Sequence, residues 1–350
     1  MPKVLYSKSV PGSDIMFGRF QGPVRAIIEH ESDLHSKKDS LVDVLFNVEK
    51  SKRHSETISG ETDFGPFQAT REGASAENDS VLPTFPKTIL HVPFMKMFTI
   101  TKEMADDSVV GIASDITSKP KNMVRSYYRT RNQLAAAAVI HGNKKSHVFN
   151  KATIDLTTAD ELPLFSAQHR FVDEELFGDR RQSNLFSSDF STVEGLRRTL
   201  TRVSNRMRNF KDENGNNLGY APNVILLPCN RPDLEENIKV VVGSEKAAGS
   251  SSNDISIHYG NWDLVVLDDW ELSEHAEDEL MFMSKEANKN LLGSMFFDRH
   301  TLDVMSFIDP GTRNNVWSAY CRMGIGFTTW KHMSRCVSNA SAVDDTTWIA

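Results

Sequence analysis

Three histidines in the middle of the chain, His141, His147 and His169, are the residues whose type best suits a metal ion. With the acids of "DDWELSEHAEDE" (268–279) they could activate a water for hydrolysis. Each also has a plainer use. His141 closes the last turn of a helix, where exposed carbonyls favour a cation. His169 follows "LFS" and suits a local hydrogen bond. The acids of 268–279 read equally as a solvated loop. "DENGNN" opens like a calcium loop, with Asp212, Asn214 and Asn216 at the first, third and fifth positions. Asn217 then stands where such a loop needs glycine, and Asn223 where it needs the closing glutamate, so the segment reads as a turn. "RSYYRTRNQ" (125–133) interleaves bases with Tyr127 and Tyr128, as RNA binders do. At helical spacing the same residues make one exposed basic face and one packed aromatic face.

No nucleophile, base and orienting group assemble from these parts. There is no glycine-rich phosphate loop, no G-x-S-x-G and no H-E-x-x-H. We therefore expect no enzyme, and assign no catalytic residue, no cofactor-binding residue, no metal ligand and no cofactor. The 350 residues carry 47 acids against 40 bases, a net charge of −7 that argues against tight direct binding of nucleic acid. The longest apolar run, "LAAAAVI" (134–140), is far short of the roughly 20 residues a membrane span needs, and "MPKVLYSKSV" lacks the apolar core of a signal peptide. Cys229, Cys321 and Cys336 are odd in number and far apart, which suits reduced thiols in a cytosol-like compartment.

The elements that must position these residues are legible in part. Residues 1–40 read as an extended arm with a short helix at 24–30. "LVDVLFNV" (41–48) is a strand or short helix. "TDFGPFQAT" (62–70) and "KTILHVPFMKMFTIT" (87–101) read as strands joined by the polar tip "TREGASAENDSVLP" (70–83), which has no apolar core of its own. In the second strand Leu90, Val92, Phe94, Phe98 and Ile100 share a face, and Pro93 marks an edge or a bend. A helix is expected over 117–141, capped by Thr117 or Ser118, with Pro120 in its first turn and Gly142 as its stop. Its 25 residues would make a rod on the order of 37 Å. Residues 143–184 read as irregular. A second helix at 191–210 carries the stripe Val193, Leu196, Leu200, Val203, Met207 and Phe210, with Ser191 and Glu194 as a capping box. "NVILLP", "WDLVVLDDW", "ELMFMS", "LDVMSFID" and "WSAYCRMGIGFTTWKH" read as strands, and "RPDLEENIKVVVG" as a helix. The fold class is α+β, helices on largely antiparallel sheets.

The order of these parts resembles the tailed-bacteriophage major capsid protein, in particular the Mu-like major head subunits. The residues that carry the resemblance are "FTITKEMADD", the helix ending "AAAAVIHGN", "LFSAQH", "KDENGNNLGYAPNVILLP", "RPDLEENI" and "YCRMGIGFTTW", over about 40–336. It implies the capsid fold of the Hong Kong type: an N-terminal arm (1–54), an extended E-loop hairpin (55–90), a peripheral domain (91–184) with a spine helix (117–141), an axial domain (185–310), returning peripheral strands (311–337) and a tail (338–350). "AAGSSSND" (247–254) would be an axial loop. The implied function is a structural subunit that self-assembles, as hexamers and pentamers, into the icosahedral head enclosing the viral DNA. The implied partners are other copies, a portal, scaffolding, a maturation protease and decoration proteins. DNA is enclosed content without sequence-specific binding, and no membrane is involved. The place is the virion, assembled in the host cytoplasm. Some members carry a long N-terminal scaffolding segment; with only about 40 residues before the body, any scaffold here would be separate or already removed. Some also join a hairpin lysine to a neighbour's asparagine; Lys87 lies in that region, without a matching asparagine and glutamate. Two other functions fit the residues: an encapsulin-like nanocompartment on the same fold, and a metal-dependent hydrolase built on His141, His147, His169 and the acids of 268–279.

Overall fold

The computed structural model describes residues 5–6, 15–36, 40–60, 67, 69–73, 75, 84–101, 111–171, 178–213, 215–244, 256–268, 270, 272 and 278–338. Most of the hairpin tip, the loop 247–254, residues 102–107 of "FTITKEMADD", most of 271–277 and the tail after 338 lie outside them. The chain forms two compact units. The first comprises Met1–Glu56, Ile89–Ala135 and Phe296–Ile325, the second Thr57–Thr88, Ala136–Met295 and Gly326–Ala350.

The first unit holds β1 (Leu5–Tyr6), α1 (Ile15–Ser36), α2 (Leu41–Leu45) and β2 (Asn47–Lys50). The arm therefore contains a 22-residue helix where a short one was expected. Gly18, Gly22 and Pro23 disfavour a helix locally, but packing supplies what propensity lacks. Val24, Ile28, Glu31 and Ser32 fall on one helical face and are all buried. Arg125 Nε donates to Glu31 Oε1 at 2.7 Å, and Ser32 Oγ lies 3.1 Å from Tyr128 Oη, both partners on the long helix α3 (Gly111–Ile140). This helix starts six residues before Thr117, so Pro120 lies inside it and not in its first turn. One rung of hydrogen bonding is lost there, at a cost of about 3 kcal/mol, and the helix continues through it.

The sheet of this unit has the order β1-β14-β15-β5, with β2 also pairing β14. Its long members are β5 (Val92–Ile100), β14 (Ser294–Ile308) and β15 (Asn315–Phe327). β5 is an edge strand, as Pro93 requires. Its alternation holds for Val92, Phe94, Phe98 and Ile100, but Leu90 is exposed. Leu90 belongs to β4 (Lys87–Leu90), whose buried residues are Lys87 and Ile89, and buried His91 breaks the register between the two strands.

The stem of the hairpin is β3 (Ser55–Ile58) against β4, of which Thr57–Ile58 and Lys87–Thr88 fall in the second unit. Thr57 meets Thr88 and Thr84 N donates to Gly60 O, a register that runs antiparallel. β6 (Ser146–Phe149) and β7 (Ala152–Asp155) form a hairpin, and β8 (His169–Arg170) pairs β9 (Arg181–Gln182), inside the segment expected to be irregular. Asn150 and Lys151 turn the first hairpin with φ of 46° and 70°. Its central sheet runs β10-β16-β13-β11-β12, with β10 (Leu185–Ser187), β11 (Val224–Pro228), β12 (Asp263–Leu267), β13 (Asp278–Met283) and β16 (Met333–Ser338). This sheet is mixed, not largely antiparallel. β11 and β12 are parallel because α5 (Pro232–Gly243) crosses between them, and β10 is parallel to β16.

Helix α4 (Val193–Arg208) buries Leu196, Leu200, Val203 and Met207 on the expected stripe. Its cap is Thr192, whose Oγ1 accepts from Gly195 N, and not Ser191. Ser191 is taken by Asp189 Oδ1, which accepts from both its N–H and its hydroxyl. With the cap one residue later, Glu194 falls out of register for a capping box and pairs with Arg197 and Arg198. Short helix α6 (Lys285–Asn290) completes the unit.

Candidate assembly surfaces

The histidines do not converge. His141 and His147 stack with ring centroids 3.9 Å apart. His169 is fully buried elsewhere, its Nδ1 2.7 Å from Asp160 Oδ2 and its ring 4.4 Å from that of Trp330. Asp160 is held below the usual carboxylate range: burial pushes its pKa up, but the bonds from His169, Thr158 and Leu162 N outweigh it. Among the described residues no group of three His, Cys, Asp or Glu side chains is placed to hold a metal. Asp212 accepts from Asn216 N at 2.8 Å, and Gly215 has φ +82°, so this segment is a turn. Of the acids in 268–279, Glu279 is buried against Arg335 and Asp278 lies 2.8 Å from Arg231, so neither is a free acid in a solvated loop. In 125–133, Arg125 is spoken for by Glu31 and Arg131 is buried against Asp298, with its guanidinium 4.6 Å over the Phe296 ring.

Lys87 is buried at the hairpin base. Its Nζ reaches Asp155 Oδ2 at 2.6 Å and Thr157 Oγ1 at 2.7 Å. Asp155 keeps a lowered pKa: its partial burial is outweighed by the bonds from Lys87 and Thr157. The pair fastens β4 to β7 from within the subunit. Beside it lies a cleft of about 280 Å³ between the hairpin base, at Ile58 and Phe85, and Leu218, Leu292 and Trp330.

Sequence reading missed the polar groups that fix the second unit. Asn184 is fully buried; its Nδ2 donates to Leu164 O and Met333 O, and its Oδ1 accepts from Ser166 N. This pins the "LFSAQH" segment to β16. Phe165 N donates to Gly142 O, and a Cβ on Gly142 would stand 3.0 Å from the Phe165 ring. Gly142 is thus required by close approach; its φ is not in the left-handed region, so the end of α3 does not itself demand glycine.

The outward side chains are informative in another way. In the first unit Leu90, Met95 and Met97 are exposed. In the second, Phe67 is fully exposed, and Val148, Ile257 and Tyr259 are more than half exposed. Large apolar groups in the open suit a surface that another molecule covers. No helix among the described residues is long and apolar enough to cross a membrane.

No family model matches the chain, and no curated protein does. Solved structures do. The capsid of cyanophage P-SCSP1u is 11% identical, with 87% of this chain and 89% of that one covered at a TM-score of 0.52. The capsid of a native GTA particle is 14% identical, covering 87% and 92% at 0.51. A chain from Mycobacterium phage Adephagia is 10% identical, covering 88% and 92% at 0.50. At these identities the likeness is one of fold: a mixed α and β chain with the fold of phage and GTA capsid structures over most of its length.

Proposed function

We propose that this chain is a structural subunit that assembles with copies of itself into an icosahedral head enclosing viral DNA. The observation that carries the reading is the shared fold over nearly nine-tenths of the chain. In this reading 1–54 is the arm, 55–90 the E-loop hairpin, 91–184 with 311–337 the peripheral domain and 185–310 the axial domain. The helix α3 is the spine. The hairpin stem supports it, since the stem is paired within the subunit while Phe67 beyond it lies open. A surface patch that meets a different patch on the next copy generates rings, and such obligate contacts run to about 2,000–5,000 Å². A net charge of −7 suits a wall that encloses DNA without gripping its phosphates. The role is architectural, with no turnover, no cofactor and no resident metal. The hexamers and pentamers would meet a portal, scaffolding, a maturation protease and decoration proteins, in a virion assembled in the host cytoplasm.

The test is to replace 72–82 with a short Gly-Ser turn. The stem at Thr57 and Thr88 stays, so the subunit keeps its melting midpoint by circular dichroism. Sedimentation then shows loss of shells, because every copy loses one contact. Normal shells from the shortened chain, or an unfolded subunit, would overturn the role given to the hairpin.

A further inference from the structure

The turn at 256–260 is built around one buried imidazole. His258 is 5% exposed, while its neighbours Ile257 and Tyr259 are 66% and 51% exposed. The turn closes with Tyr259 N to Ser256 O at 3.4 Å, and it is tied to α5 by Ser256 Oγ to Val241 O at 3.2 Å and Gly260 N to Val242 O at 3.3 Å. Gly260 has φ +69°, a conformation that favours glycine.

The protonation state of His258 follows from its partners. Trp262 Nε1–H can only donate, and it points at His258 Nδ1 from 3.4 Å. Nδ1 is therefore bare. Thr201 spends its one hydroxyl proton on Arg197 O at 3.1 Å, so Thr201 Oγ1 must accept from His258 Nε2–H, also at 3.1 Å. One chain of donors thus runs Trp262, His258, Thr201, Arg197 O, and it closes only with a neutral imidazole. A proton on Nδ1 would set N–H against N–H. The charged group facing the ring from α4 is Arg197, which also disfavours a second proton. Glu194 pairs with Arg197 at 3.4 Å; Asp263 beside Trp262 holds Lys285, and Lys239 on α5 holds Glu235. Burial places the His258 pKa below its ordinary value; the Arg197 carbonyl opposes this and the Arg197 guanidinium adds to it.

We propose that His258 is an acid-released latch: neutral, it clamps the 256–260 turn to α4 and to the Trp262 indole and fixes the outward pair Ile257 and Tyr259, and on protonation it lets the turn go. This device is local to the second unit and does not depend on the shell reading.

The test is amide exchange of the full chain between pH 7.5 and pH 5, corrected for intrinsic rates. The strand β11 serves as internal reference and far-UV circular dichroism reports the global fold. Protection across 256–260 should fall below the midpoint by up to about tenfold per pH unit, the limit for one proton, while β11 stays protected. The indole resonance of Trp262, assigned with Trp262→Phe, should shift over the same range. His258→Gln offers an acceptor and a donor without a titrating ring, so its turn should stay protected at both pH values. A wild-type turn whose protection is flat with pH, or lost only together with β11, would overturn the proposal. So would a His258→Gln turn that responds to pH as the wild type does.

Discussion

Arg335 is the largest fully buried side chain among the described residues, and its removal is the sharpest probe of the second unit. It lies on β16 opposite Met281 of β13, which makes Glu279 its diagonal neighbour. The guanidinium bonds Glu279 Oε2 and donates to Ile140 O at 3.0 Å; Trp270 Nε1 donates to the same carboxylate oxygen at 3.1 Å. Arg335→Met takes the cation away from the buried Glu279 carboxylate, to which Trp270 Nε1 still donates. Glu279→Met leaves the guanidinium with one carbonyl and the face of Phe165. Breaking such a pair from either side costs about 3–5 kcal/mol. The double variant leaves no charge, only the Trp270 N–H and the Ile140 carbonyl without these partners, at about 1–3 kcal/mol each. It should therefore cost about 2–6 kcal/mol, well short of the sum of the two single losses. The assay is urea unfolding of unassembled subunits, followed by tryptophan fluorescence. A double variant that costs the full sum of the singles would show that the two side chains do not act as a pair.

Two further outcomes are expected. Ala136→Phe and Ala138→Phe, at buried positions of α3, should each cost about 1–3 kcal/mol by overpacking, and Ala137→Phe, half-buried, should cost less; equal thermal midpoints for all three would contradict the packing. His332 is fully buried, with Nε2 2.6 Å from Ser294 Oγ, and burial holds its pKa down to about 3, against an ordinary 6.5. Below pH 6.5 the unfolded chain takes up a proton that the folded chain refuses. The stability is complete above that value and is lost progressively as pH falls toward about 3; His91, lowered mainly by burial, acts in the same direction. A melting midpoint that does not fall between pH 7.5 and pH 5 would refute this.

Much of the second unit was legible because its signals are local. β11 is an unbroken apolar run that ends at a proline, α5 ends at Gly243, and the stripe of α4 repeats at three and four. The hairpin β6–β7 was missed because its turn is Asn150-Lys151, not the usual Asn-Gly, and a lysine at positive φ carries no turn signature. Helix α1 was shortened by Gly18, Gly22 and Pro23, whose penalty the contacts of Glu31 and Ser32 with α3 help to offset. The pairing of Arg335 with Glu279 was not legible because the two lie 56 positions apart. The fates of His141, His147 and His169 also depended on tertiary neighbours, Trp330 and Asp160 among them, which spacing does not reveal. The exposed pair Met95 and Met97 could have been found from the alternation of β5, had Lys96, which reaches Ser126 on α3, been read as the inward residue.

The proposed assembly of copies of this chain into a closed shell can be observed directly. Electron microscopy of the purified full-length protein, concentrated at neutral pH, tests it directly. Hexameric and pentameric rings and closed polyhedral particles of uniform size are expected. A protein that stays a discrete monomer at every concentration, with its fold intact, would contradict it.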